Sequence, residues 1–225
     1  MVALIFAAFV IAVIATDQTI QYMKKKRKVH IATPQLRDVF DTHAINIPKG
    51  LYFDKTHTWA FMDRTGKVEV GINDFLQNIT GKPSSIEMKK PGEKVRKGEH
   101  LLTIVQQGKR LNIYSPVSGT VQSINQSLLD KPSLINTDPY SLGWVYRIEP
   151  SNWFRETQFM LVAEQTADWI KKEFVRFKDF LANTYGQAQL APIMQDGGTI
   201  KGNVLENADP GIWEEFQSNF IDTIK

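Results

Sequence analysis

Cysteine is absent from the 225 residues. That excludes a disulfide framework, a thiolate zinc site, a cysteine-ligated iron–sulfur cluster and a cysteine nucleophile. Any redox centre beside which the protein works must therefore belong to a partner. Excess charge of one sign is also lacking: 27 Lys and Arg face 24 Asp and Glu, a formal +3. Five of the positive charges are Lys24, Lys25, Lys26, Arg27 and Lys28, without which the chain stands at −2. Nucleic acid is not an expected partner for such a balance. The four histidines, His30, His43, His57 and His100, show no metal-ligand spacing, so no metal site is expected. Asp54, His57 and the serines Ser84, Ser85, Ser115 and Ser118 lack a nucleophile elbow, and no catalytic residue is expected among them.

One long apolar run is present. Residues 1–16 carry no charged side chain, and residues 1–23 would span roughly 34 Å as a helix. The basic run follows this stretch, whereas a cleaved signal peptide puts its positive charge first, so an uncleaved transmembrane anchor over 1–23 is expected. The positive-inside rule then predicts a single-pass protein of the inner (cytoplasmic) membrane, N-terminus outside and soluble part in the cytoplasm. Lys24, Lys25, Lys26, Arg27 and Lys28 are expected at the membrane surface, where anionic lipid attracts them.

Residues 24–50 read as the basic cluster and a linker broken by Pro34 and Pro48. Over 51–150 short β-type runs alternate with Gly and Pro turns, which predicts a compact β module, barrel or sandwich, with one or two helical turns at 73–78. From 151 to 225 the period lengthens. Phe159, Val162, Ala163, Thr166, Ile170, Phe174, Phe177 and Leu181 recur at three and four, predicting an amphipathic helix over 152–182 with Ser151 as N-cap. A turn is expected at Gln195-Asp196-Gly197-Gly198, and Asp209-Pro210 opens a last helix.

The β module carries five ordered motifs. Tyr52 through Trp59, with His57, is similar to a Y-T-x-x-H-x-W opening, and Val70-Gly71-Ile72-Asn73-Asp74-Phe75 to V-G-I-T-D-x. Pro91-Gly92-Glu93-Lys94-Val95-Arg96-Lys97-Gly98-Glu99 resembles P-x-x-G-x-x-V-x-x-G-E apart from the loop around the proline. Ile113 through Gly119 reads I-Y-x-P-V-S-G, and Asn136 through Trp144 reads N-x-D-P-Y-x-x-G-W. Together they resemble the H protein of the glycine cleavage system over roughly 51–152. The resemblance implies a mainly β barrel-sandwich hybrid, here flanked by the N-terminal transmembrane helix and a C-terminal α-helical extension. It also implies a hairpin that displays a lipoyl-bearing lysine.

At that hairpin the sequence departs from the family. Counting back from Tyr114 puts the family's lysine on Gly108 and the glutamate of E-S-V-K-A on Val105. Lys109 stands one place later, and a one-residue displacement redirects a side chain. No cofactor is therefore expected; the alternative is a membrane-tethered carrier lipoylated at Lys109. The expected function is a non-catalytic, membrane-anchored accessory or scaffold subunit of a membrane protein complex, with a respiratory or photosynthetic electron-transfer assembly as the first candidate. Its partners are then the bilayer and other subunits. An enzyme built on the extension is the third reading. Trp153, Phe154, Trp169, Phe174, Phe177, Trp213, Phe216 and Phe220 offer more aromatic surface than a domain end leaves wet, and they are expected to bury against one another and against a partner.

Overall fold

Alternation of apolar residues builds the sheets. In β4 (Val68–Ile72) Val68, Val70 and Ile72 are buried, and in β10 (Tyr146–Pro150) so are Tyr146 and Ile148. Between them Glu69 and Arg147 point outward and pair at 2.8 Å. With β2 (Tyr52–Asp54), β3 (Thr58–Met62), β6 (Lys94–Val95) and β9 (Gly119–Ile124) these strands form a six-stranded antiparallel sheet in the order β2-β3-β4-β10-β9-β6. A second sheet, β5-β7-β8, joins β5 (Ser85–Met88), β7 (His100–Gln106) and β8 (Lys109–Tyr114). Leu102, Ile104, Leu111 and Ile113 from it enter the same core as Val70, Val121 and Tyr146. This is the β-sandwich expected for the module.

The computed structural model describes residues 39–40, 45–190, 194–195 and 199–222. The expected anchor, Lys24, Lys25, Lys26, Arg27 and Lys28, His30, His43 and Asp196-Gly197-Gly198 lie outside the described residues. Among the described residues no helix is long and apolar enough to cross a membrane. A short third sheet pairs β1 (Val39–Phe40) with β12 (Thr199–Lys201), and β12 with β11 (Met194–Gln195).

Helix α1 (Asp74–Thr80) begins where Asn73, in extended conformation, accepts the Leu76 N–H on its side chain. Its Phe75, Leu76 and Ile79 are fully buried. The single helix expected over 152–182 is two. Helix α2 (Trp153–Thr157) stops, and Leu161 exchanges two backbone hydrogen bonds of 2.8 Å with Phe53. Ladder bonds along the edge of β2 outweigh helical continuity there, and Ala163, at φ +43°, turns the chain into α3 (Ala163–Leu190). The residue preceding α2 is Asn152 rather than Ser151.

The aromatic residues expected to meet a partner require the main correction. Phe177, Trp213, Phe216 and Phe220 are buried within the chain, in one core with Phe75, Ile79 and Leu181. The rings of Phe216 and Phe220 stack at 4.7 Å, and Phe177 meets both edge-on at 5.8 and 5.9 Å. Trp169 and Phe174 are buried too, and half-buried Trp153 lies edge-on to Tyr52 at 5.2 Å. Of the eight, Phe154 alone is exposed, at 81%. The reason is geometric: the apolar stripe of α3 finds its cover in α1 and in α4 (Pro210–Phe216), which continues as a π-helical turn over Gln217–Ile221.

Candidate functional site

The hairpin between β7 and β8 is where the family's carrier group would sit. Gln106 pairs with Lys109, leaving a two-residue loop, Gln107-Gly108, with φ of +48° and +81°. Two successive positive φ values define the type I′ turn that matches strand twist, and its second position favours glycine. A Cβ on Gly108 would meet nothing within 4 Å. Glycine is there for the backbone, not for lack of room, and the tip, an exposed Gln107 followed by Gly108, carries no amine.

Lys109 lies just past the tip, yet its side chain turns inward and is only 8% exposed. Its Nζ donates to the carbonyls of Glu206 at 2.5 Å and Ala208 at 3.2 Å, lies 3.5 Å from that of Leu205, and sits 5.2 Å from the Trp213 ring centre. Burial pushes its pKa down, while the carboxylates of Glu206 and Asp209 pull it up; the net direction is down. An ammonium whose hydrogens point at main-chain carbonyls is not displayed as a nucleophile.

The stretch that holds it is itself fixed. The N–H of Asn203 donates to Asn78 O (2.6 Å) and that of Leu205 to Ile79 O (3.0 Å), fastening 203–205 to α1. Trp213 Nε1 donates to Leu205 O at 2.8 Å. Farther along, β8 is an edge strand, and an edge leaves main-chain groups to be satisfied. The Gln217 amide does this as a neighbouring strand would: its Oε1 accepts from Asn112 N (2.8 Å) and its Nε2 donates to Asn112 O (3.2 Å). Asp222 Oδ1 accepts from Gln217 Nε2 and from the Tyr114 hydroxyl. Residues 203–222 thus run alongside β8 from Lys109 to Tyr114.

The remaining polar candidates have structural roles. His57 is fully buried at φ +62°, stacked on Phe75 at 4.8 Å and against Trp169 at 5.0 Å. Asn73 uses its oxygen on Leu76 N, so its amide donates to His57 Nδ1 (3.3 Å) and the ring proton belongs on Nε2, 3.8 Å from Glu173 Oε2. Burial first, and Arg176 second, lower the His57 pKa to about 3, while burial raises that of Glu173. A neutral, sealed imidazole is a core residue. Asp54 is ion-paired with Lys97, which also donates to Pro116 O. Ser118 donates through N and Oγ to Glu156 (2.8 and 2.6 Å), which clips α2 onto the Pro116–Gly119 turn. Ser115 Oγ donates to Val117 O, and Ser84 Oγ accepts from Gln107 N beside the tip.

Sequence reasoning singled out Gly108 and Lys109, and the fold places both at the hairpin end. It missed Glu206, Ala208, Gln217 and Asp222, whose contacts with β8 span about a hundred residues and leave no local pattern.

Comparison with known proteins bears on the sandwich. The family model for the glycine cleavage H-protein matches residues 51–173. A probable glycine cleavage system H protein of Pyrococcus abyssi is 37% identical over 125 residues, 56% of this chain and 92% of that protein. The glycine cleavage system H protein of Stenotrophomonas maltophilia is 39% identical over 106 residues, 47% of this chain and 81% of that one. A crystal structure of a glycine cleavage system H protein from Mycobacterium marinum superposes with a TM-score of 0.47 at 24% identity, covering 56% of this chain and 98% of the other. The family match ends within α3, so 203–222 lie beyond it. With a match over more than half its length, across the sandwich and the start of α3, the chain belongs to the glycine cleavage H-protein family.

Proposed function

We propose that this protein is an H-protein-type subunit that no longer carries a lipoyl group. In this reading it is held at a membrane by residues 1–23 and serves as a non-catalytic docking or assembly element of a membrane complex. The observation that carries the proposal is the state of the hairpin: glycine at the tip, and the neighbouring amine of Lys109 bonded to the carbonyls of Glu206 and Ala208. A lipoyl arm is attached through an amide to an exposed lysine. Neither residue offers one. The uncharged run over 1–16 and the basic run after it support anchoring, and a fixed subunit suits a protein with nothing to shuttle. Because Trp213, Phe216 and Phe220 are spent on the core, docking falls to surface left open, where Phe154 and Phe159 are 81% and 73% exposed. A respiratory or photosynthetic electron-transfer assembly is the first candidate for that complex, on the resemblance to lipoyl-type and H-like proteins that recur beside redox machinery; any thiolate-ligated centre would belong to a partner.

The relatives' names favour a second reading, a tethered carrier in glycine cleavage modified at Lys109. The burial of that amine weighs against it.

Alkaline carbonate washing of membranes, followed by mild-detergent extraction, tests the proposal. The chain is expected to stay in the washed pellet and to leave it in detergent together with other subunits at fixed stoichiometry. Release by carbonate, or recovery alone and lipoylated, would overturn it.

A further inference from the structure

The hairpin differs from a carrier hairpin in more than its missing lysine. One flank is occupied by the chain itself. The Lys109 ammonium is taken up by main-chain carbonyls of 206 and 208, and the outer edge of β8 at Asn112 is paired to the Gln217 amide. Asp222 closes the far end on the Tyr114 hydroxyl. These contacts come from two directions, an irregular stretch tied to α1 and a helical turn tied to the aromatic core. Both covering segments lie beyond the family match, while the β8 residues that they contact lie within it. An enzyme that acylates a lysine at a hairpin tip must bring its active site over the tip and reach the strands beside it. Here the outer edge of β8 is already paired at Asn112, and α4 walls the open groove that remains between Gly108, Asn112, Trp213 and Gln217, while the tip position itself opens to free space.

We propose that residues 203–222 form an intrachain cover that closes the hairpin to lysine-acylating enzymes, so that restoring a lysine at position 108 does not by itself restore a carrier. The inference rests on reading the hairpin as a carrier hairpin without its lysine. The step it blocks is acyl transfer from lipoyl adenylate: the lysine Nζ, having given up a proton, attacks the acyl carbon. An amide bond forms, the acyl–phosphate bond breaks, AMP leaves, and a second proton passes from nitrogen to solvent. Lipoate, ATP and a lipoate–protein ligase supply the reactants.

The test uses three full-length chains. The first carries Gly108→Lys alone. The second adds Gln217→Ala and Asp222→Ala, which free the β8 edge without touching the Phe216 and Phe220 rings. The third adds Lys109→Met instead, which frees the 206–208 carbonyls. Each is incubated with lipoate, ATP and the ligase, and the initial rate of mass gain is read on the intact protein. With two or more hydrogen bonds released, the second and third chains are expected to acylate at least about tenfold faster than the first. Because the two releases act at separate places, misfolding of one leaves the comparison with the other standing. Equal, fast acylation of all three would overturn the cover and leave the hairpin reading intact. No acylation of any of them would overturn both, since the barrier would then lie in the hairpin itself.

Discussion

Replacing Lys109 by Met asks directly what the buried amine does. Met nearly matches the lysine stem in length but has no donor, so the carbonyls of Glu206 and Ala208 lose the hydrogens they now accept. Leu205 O keeps its bond from Trp213 Nε1. Leaving the buried Ala208 acceptor unpaired costs about 1 to 3 kcal/mol and the part-buried Glu206 acceptor less, and the buried cation that disappears returns part of that cost. A net loss of about 2 kcal/mol is expected, confined to the 203–222 stretch because the sandwich core is untouched. Since about 1.4 kcal/mol is tenfold, that loss corresponds to roughly 30-fold faster exchange of the Leu205 and Asn112 amide hydrogens. The first is bonded to Ile79 O and the second to Gln217 Oε1. Native-state hydrogen exchange reads both amides against those of β4 as internal reference. Unchanged protection at Leu205 and Asn112, with unchanged global stability, would refute the idea that this lysine pins the stretch.

Three further perturbations probe the frame. Phe177→Ala removes a fully buried ring that meets Phe75, Phe180, Phe216 and Phe220, and should cost about 3 to 5 kcal/mol in chemical denaturation; a loss under about 1 kcal/mol would return this ring to a partner surface. Gly119→Ala would place a Cβ 2.2 Å from Glu149 O, so the β9–β10 ladder must shift and about 2 kcal/mol or more should be lost, with an unmoved Tm counting against this packing. His57 stays neutral in the fold down to about pH 3, whereas the unfolded chain takes up the proton below about 6.5, so stability attributable to it is lost as pH falls through that window. Asp74, with its pKa raised by burial to about 6, acts in the opposite direction between 6 and 3.8. The clean readout is a comparison with His57→Asn, a residue that tolerates the positive φ. Its stability difference between pH 7 and pH 4.5 should shift by about 2 to 3 kcal/mol relative to the parent, and an equal difference in both chains would contradict the burial of the imidazole.

The sandwich was legible because its signals are local. Alternation at Val68, Val70 and Ile72, the turn glycines and the Ile113 to Gly119 motif each act over a few residues, and Asn73 marks the start of α1. The long helix was legible in period but not in extent, since the break at 158–162 is decided by Leu161 pairing with Phe53, more than a hundred residues away in sequence. Apolar aromatics at helical spacing say that a face must be covered but not by what. Here α1, α3 and α4 cover one another, so Phe177, Trp213, Phe216 and Phe220 became core. Glycine at the turn was readable from the count to Gly108. The capture of Lys109 was not, because main-chain carbonyls are its acceptors and any residue type supplies those.

The central claim is that the hairpin is chemically silent in the living cell, and the modification state of Lys109 in protein purified from its native source tests it most directly. Trypsin cuts after a free lysine and not after an acylated one, so a digest read by mass should show cleavage after Lys109 and no lipoyl mass increment on any lysine of the chain. A missed cut at Lys109 with a lipoyl increment on the spanning peptide would contradict the claim and make this protein a carrier.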